Sequence, residues 1–139
     1  MFEEEEEESN KVKKSALFIK ANEIYVLVSK IASLIPEEDS LLSSFRDIII
    51  EDAFTICSKV AGAYNSDIYE VRMESAVLIR KAALDLKLQY HNLKAFEFRE
   101  IEYYPLIIGH IEEFRLLFLD WVDTFDETDK LEDEWGLFS

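Results

Sequence analysis

Residues 103–125 read YYPLIIGHIEEFRLLFLDWVDTF, and this stretch decides the fold class. Tyr104, Ile107, Ile108, Ile111, Phe114, Phe118, Trp121, Val122 and Phe125 recur mostly at steps of three or four. That spacing lines one side of an α-helix and fits no strand. Pro105 is tolerated only in a first turn, so the helix is expected to begin near Tyr103.

Working back toward the N-terminus, the same period repeats three times. Ile68, Val71, Ser75, Leu78, Ile79, Ala82, Leu86, Leu93 and Phe96 predict a helix from about 67 to 95. Small residues there (Ser75, Ala76, Ala82, Ala83) would let a neighbouring helix approach closely. Tyr64-Asn65-Ser66-Asp67 breaks the pattern: Asn65 tolerates a left-handed conformation, and Ser66 or Asp67 suits an N-cap. Before it, Leu41, Phe45, Ile48, Ile49, Ala53, Ile56, Val60 and Ala63 predict another helix, capped by Asp39 or Ser40. Leu17, Ala21, Ile24, Val28, Ile31 and Ile35 predict the first helix, from about 14 to 35, which Pro36 stops. Four helices with short connections imply antiparallel neighbours. The expected fold is all-α, an up-and-down antiparallel four-helix bundle over 13–125.

The charge is unevenly placed. The formal net charge is −15, yet residues 10–119 hold 16 acids and 14 bases. Glu3 to Glu8 form an unbroken run, and residues 120–139 carry eight acids against Lys130. Adjacent glutamates repel and have nothing to bury, so 1–12 reads as an acidic disordered tail. Residues 126–139 read as an acidic C-terminal tail ending in an aromatic anchor, Trp135-Gly136-Leu137-Phe138. Free in water, Trp135, Leu137 and Phe138 expose a large apolar surface, so they are expected to pack on the bundle, a neighbouring subunit or a partner. Gly136 between them allows the turn that brings them to one surface.

The composition excludes several classes. Three glycines and two prolines are too few for a β-sandwich, and the lone Cys57 excludes a disulfide framework or a multi-cysteine zinc site. No apolar run reaches the roughly 20 residues of a membrane span, and Met1-Phe2 followed by acid is unlike a cationic signal peptide. The expected compartment is the reducing cytoplasm. A di-metal carboxylate bundle needs Glu-x-x-His on two helices, whereas Leu88 and Ile107 stand three residues before His91 and His110. There is no glycine-rich phosphate loop, nucleophile elbow or Rossmann fingerprint. Cys57 sits mid-helix among apolar residues, where a thiol is not activated. The chain is expected to be no enzyme and to need no cofactor or metal.

Other residues suggest contact surfaces. Leu106, Leu116 and Leu119 lie off the main stripe of their helix, as Ile50 and Phe54 do on theirs, and suggest an oligomer interface. Asp52 and Arg115 fall on apolar stripes, so they are a polar centre inside the bundle, an inter-subunit lock, or edge residues that reach solvent. Lys11, Lys13, Lys14 and Lys20 are the one local basic cluster and a candidate for nucleic-acid contact.

Ala21-x-x-Ile24-Tyr25 followed by Ile31-x-x-Leu34-Ile35-Pro36, then Lys59-Val60-Ala61-Gly62-Ala63, and Ile111-Glu112-Glu113-Phe114 running into Trp121-Val122, carry a family likeness. Over about three quarters of its length the chain resembles the bacterial four-helix-bundle family of intervening-sequence proteins of large-subunit ribosomal RNA and accessory proteins of diversity-generating retroelements. The resemblance implies a compact bundle that assembles into a ring-like oligomer, with nucleic-acid binding in basic members. This chain departs on charge: neutralising phosphates needs clustered Lys and Arg, and its core is near neutral with acidic ends. The expected function is a non-enzymatic, homo-oligomeric protein-interaction or scaffold module, open to a basic protein partner. An RNA- or DNA-binding accessory role is the alternative.

Overall fold

The structure, a computed structural model, describes residues 2–132 and 134–137 apart from the side chains of Glu8 and Ser9. It contains five α-helices and, among the described residues, no strand: α1 (Phe2–Lys14), α2 (Ala16–Ala32), α3 (Ser40–Ala63), α4 (Tyr69–Ala95) and α5 (Tyr104–Val122). Single 3-10 turns at Ile101–Tyr103 and Glu127–Asp129 precede and follow α5. None of the described helices is long and apolar enough to cross a membrane.

The glutamate run does not form the expected disordered tail; it opens α1. Glu3, Glu4 and Glu5 occupy its first turn and Lys11, Lys13 and Lys14 its last. That polarity matches the helix dipole, whose N-terminal end favours anions and whose C-terminal end favours cations. Val12 fixes the helix end by burying its side chain. Ser15 divides α1 from α2, where the sequence suggests one continuous start near Lys14. Its hydroxyl accepts from the Phe18 N–H at 3.1 Å, capping α2, and donates to the Val12 carbonyl at 2.7 Å, closing α1.

Asp39 caps α3 as expected, accepting from the Leu42 N–H at 3.1 Å. α2 ends at Ala32, short of Ile35, because its last turn tightens: Leu34 and Ile35 donate to Ile31 and Ala32, three residues back. α4 starts at Tyr69 after Ile68, which offers no side-chain cap. Asn65 keeps a negative φ; the one non-glycine residue with positive φ among those described is Glu97. It lies just past α4, where the Phe98 N–H donates to the Leu93 carbonyl at 2.9 Å and the Glu97 N–H to Lys94 at 3.1 Å. This is a Schellman closure, with buried Leu93 and Phe98 as its hydrophobic contact.

One core runs through α2 to α5. Ala21, Ile24, Val28, Ile49, Ile56, Val60, Leu86, Leu93, Tyr104 and Ile107 lie fully inside it. The α2 and α5 stripes match the expected faces. On α3 the first turn is offset: Leu42 is buried and Leu41 exposed. On α4 the buried face is Ala76, Ile79, Ala82, Leu86, Gln89 and Leu93, leaving Val71, Leu78 and Phe96 exposed. α3 packs along both α2 and α4, and α5 packs along α2. The contact between α4 and α5 is much the sparsest of the four.

Candidate functional site

That sparse seam is an open groove of about 290 Å³. Ile79, Arg80, Ala83, Leu84 and Lys87 line it from α4, and Ile111, Glu112, Phe114, Arg115, Phe118 and Leu119 from α5. Ile79, Ile111 and Phe114 are core residues, so the floor is the exposed edge of the core itself. Ala83 was expected to bring a helix closer; here its small side chain leaves the gap unfilled. One end is held shut. The Tyr104 hydroxyl donates to the Leu86 carbonyl, and Lys87 Nζ meets Glu112 Oε1 at 2.7 Å. Arg115 Nε pairs with the other Glu112 oxygen at 3.0 Å. Lys87, then Arg115, hold the Glu112 carboxyl below its usual range. The rim therefore carries three bases, Arg80, Lys87 and Arg115, against the single acid Glu112. On a chain of net charge −15 this is a locally positive strip beside an apolar floor.

The three off-stripe leucines are exposed: Leu106, Leu116 and Leu119 are 56%, 58% and 47% accessible. Leu119 lines the groove, and Leu116 is one turn away on the same helix. Leu84 and Leu88 expose a matching pair, i and i+4, along α4.

Asp52 and Arg115 do not form one polar centre. Arg115 is exposed and lies on the groove rim, since its long side chain reaches water from the stripe edge. Asp52 is half-buried between α3 and α4, where its group partner is Asp85. Burial, then the Asp85 carboxyl, pushes the Asp52 carboxyl up to about 8. Asp85 also accepts from Gln89 Nε2 at 3.3 Å, and Gln89 Oε1 accepts from Asn92 Nδ2 at 3.0 Å. Gln89 is the one polar residue among the buried side chains described, a position that a search for apolar periodicity passes over.

The lysine cluster is split. Lys11, Lys13 and Lys14 are exposed on the last turn of α1, on the same helix as the glutamates. Lys20 instead faces α5, with Nζ 2.5 Å from Glu113 and 2.7 Å from Glu23, and it approaches His110 Nδ1 at 3.4 Å. Glu113 first, then Glu23, raise its pKa above the usual lysine value. Its charge is already matched within the fold.

The C-terminal tail lies against the first turns of α4. The Leu131 N–H donates to Glu70 Oε2 at 3.2 Å, and Lys130 sits over the Tyr69 ring at 5.2 Å. Trp135 and Leu137 line a shallow recess with Ile68 and Val71 but stay 88% and 74% exposed, so they are not buried as an anchor on their own chain. Gly136 takes a φ of 75°, the turn expected of it. Phe138 lies outside the described residues.

Cys57 donates its thiol to the Ala21 carbonyl at 3.1 Å, and burial pushes it up to about 11. Among the described residues no group of three or more His, Cys, Asp or Glu is placed to hold a metal. Comparison with protein-family models, with curated proteins and with solved structures finds no match to this chain.

Proposed function

We propose that the protein is a non-enzymatic, homo-oligomeric scaffold or protein-interaction module, and that the α4–α5 groove is its docking surface for a second copy. In this reading α2 to α5 form an up-and-down four-helix bundle, related to the family that the sequence resembles. α1 and the C-terminal tail are its acidic extensions, and it works in the cytoplasm. The observation that carries the reading is the open seam. A bundle helix normally buries its apolar stripe against both neighbours, and here α5 leaves the α4 side of its stripe uncovered beside Leu84, Leu116 and Leu119. Anchoring side chains that enter such a floor dominate binding energy, while the charged rim sets orientation and partner choice.

The test is the mass of the intact chain by sedimentation across the micromolar range. Self-association that Leu84→Lys and Leu119→Lys abolish supports the reading. A monomer at every concentration removes it, and an oligomer indifferent to both substitutions moves the interface elsewhere.

A further inference from the structure

We infer that the occupant of the α4–α5 groove is the acidic, aromatic C-terminal segment 132–138 of a second copy of the chain. This rests on the groove being the self-association surface, and it adds which part of the partner enters it.

Charge disfavours a groove-to-groove contact and favours an acidic insert. If two copies met groove to groove about a two-fold axis, Arg80, Lys87 and Arg115 of one would face the same three bases of the other. Like charges juxtaposed at an interface disfavour it. The groove needs an apolar insert flanked by acids. The C-terminal segment has that composition: Glu132, Asp133 and Glu134 immediately precede Trp135, and Leu137 and Phe138 follow the turn at Gly136. Residues 10–119 offer no equivalent. Their bases and acids nearly balance, and their aromatic side chains are largely committed to the core.

The position of the segment on its own chain is the second argument. The recess it lies in is lined by Glu70 and Glu74 together with Glu132 and Glu134, so four carboxylates crowd one shallow surface. Trp135 gains little cover there. Transfer to a groove with a net positive rim separates those charges and covers the indole, whose burial is a large apolar gain. The root of the segment stays fixed, because Leu131 and Lys130 are held on the first turn of α4.

Charge exchange in the full-length protein tests the inference. One variant reverses the rim, Arg80→Glu with Arg115→Glu. The other reverses the segment, Glu132→Lys with Glu134→Lys. All four residues are exposed, so the fold should survive, and circular dichroism confirms it. Each variant alone should self-associate at least tenfold more weakly at physiological salt. An equimolar mixture should recover association as mixed oligomers, because the acidic segment of the first fits the basic rim of the second, and the converse. If each variant is weakened and the mixture recovers no association, the segment of one copy does not enter the groove of another, and exchange between copies is overturned. If the rim variant dissociates while the segment variant does not, the segment is not the occupant, although the groove remains the interface. If the wild-type chain is a monomer throughout, the underlying reading fails as well.

Discussion

Asp52 on α3 and Asp85 on α4 face each other across the helix interface, and the Asp52 carboxyl holds its proton up to about pH 8. Two carboxylates cannot both ionise at such a site without repulsion, so one proton is retained. Asp52 Oδ2 is buried and has no hydrogen-bond partner among the described residues. Glu51 adds repulsion, Lys81 opposes it, and the buried Tyr104 hydroxyl nearby stays protonated.

The first prediction concerns pH. Asp52 has a folded-state pKa raised from 3.8 to about 8, so its favourable contribution is full below about pH 4 and is lost as pH rises toward 8. Asp52→Asn keeps the shape and removes the charge. Its melting temperature should exceed the wild type at pH 8 and approach it at pH 5. The gain should be on the order of 1 kcal/mol, well below the full shift because the group is partly solvated. A wild-type melting temperature that climbs between pH 5 and 8, with the variant showing the same slope, would refute the shared proton.

Glu97 gives a second. It closes α4 with φ at 60°, a left-handed angle that costs a side-chain-bearing residue roughly 1 kcal/mol relative to glycine. Glu97→Gly should therefore stabilise the chain by about 0.5–1 kcal/mol in urea unfolding despite the added freedom of the unfolded state. A destabilised variant would mean that the Glu97 side chain contributes more than its backbone angle costs.

The third is chemical. With its thiol donated to the Ala21 carbonyl and its pKa raised to about 11, Cys57 should react with a thiol reagent at pH 7.5 roughly a hundredfold more slowly in the folded chain than in urea. Equal rates would show that α2 opens readily from α3.

The fourth concerns nucleic acid. Lys11, Lys13 and Lys14 share a helix with the glutamate run, Lys20 is paired with Glu113, and Lys87 and Arg115 on the groove rim are paired with Glu112, so the bases described offer little uncompensated charge to replace phosphate counterions. In a mobility-shift assay at physiological salt the intact chain should not retard duplex DNA or RNA. A shift that appears only after replacing Glu3 to Glu8 by serine would make the run a cover for the lysines.

The all-helical class was readable because apolar spacing is local: α5 and α2 bury the faces that their periodicity marks, and the Asp39 cap and Pro105 act within one turn. The Ser15 break was harder to see, because Ser15 interrupts no apolar stripe and its hydroxyl bonds to both flanking helices. Offsets at Leu42 and Gln89 depend on which neighbour each helix meets, a matter of packing rather than period.

The sequence by itself determined where helices form, where the acids gather and which leucines lie off the stripe, since all three follow from residue order along one chain. Only the tertiary structure decided that Arg115 sits on a groove rim, that Asp52 meets Asp85, and that Lys20 is matched by Glu113. The last two join residues more than thirty positions apart, and the first needs two helices side by side. Their pairing is set by how α2, α3, α4 and α5 rotate to bury one shared core, and no local pattern encodes that rotation.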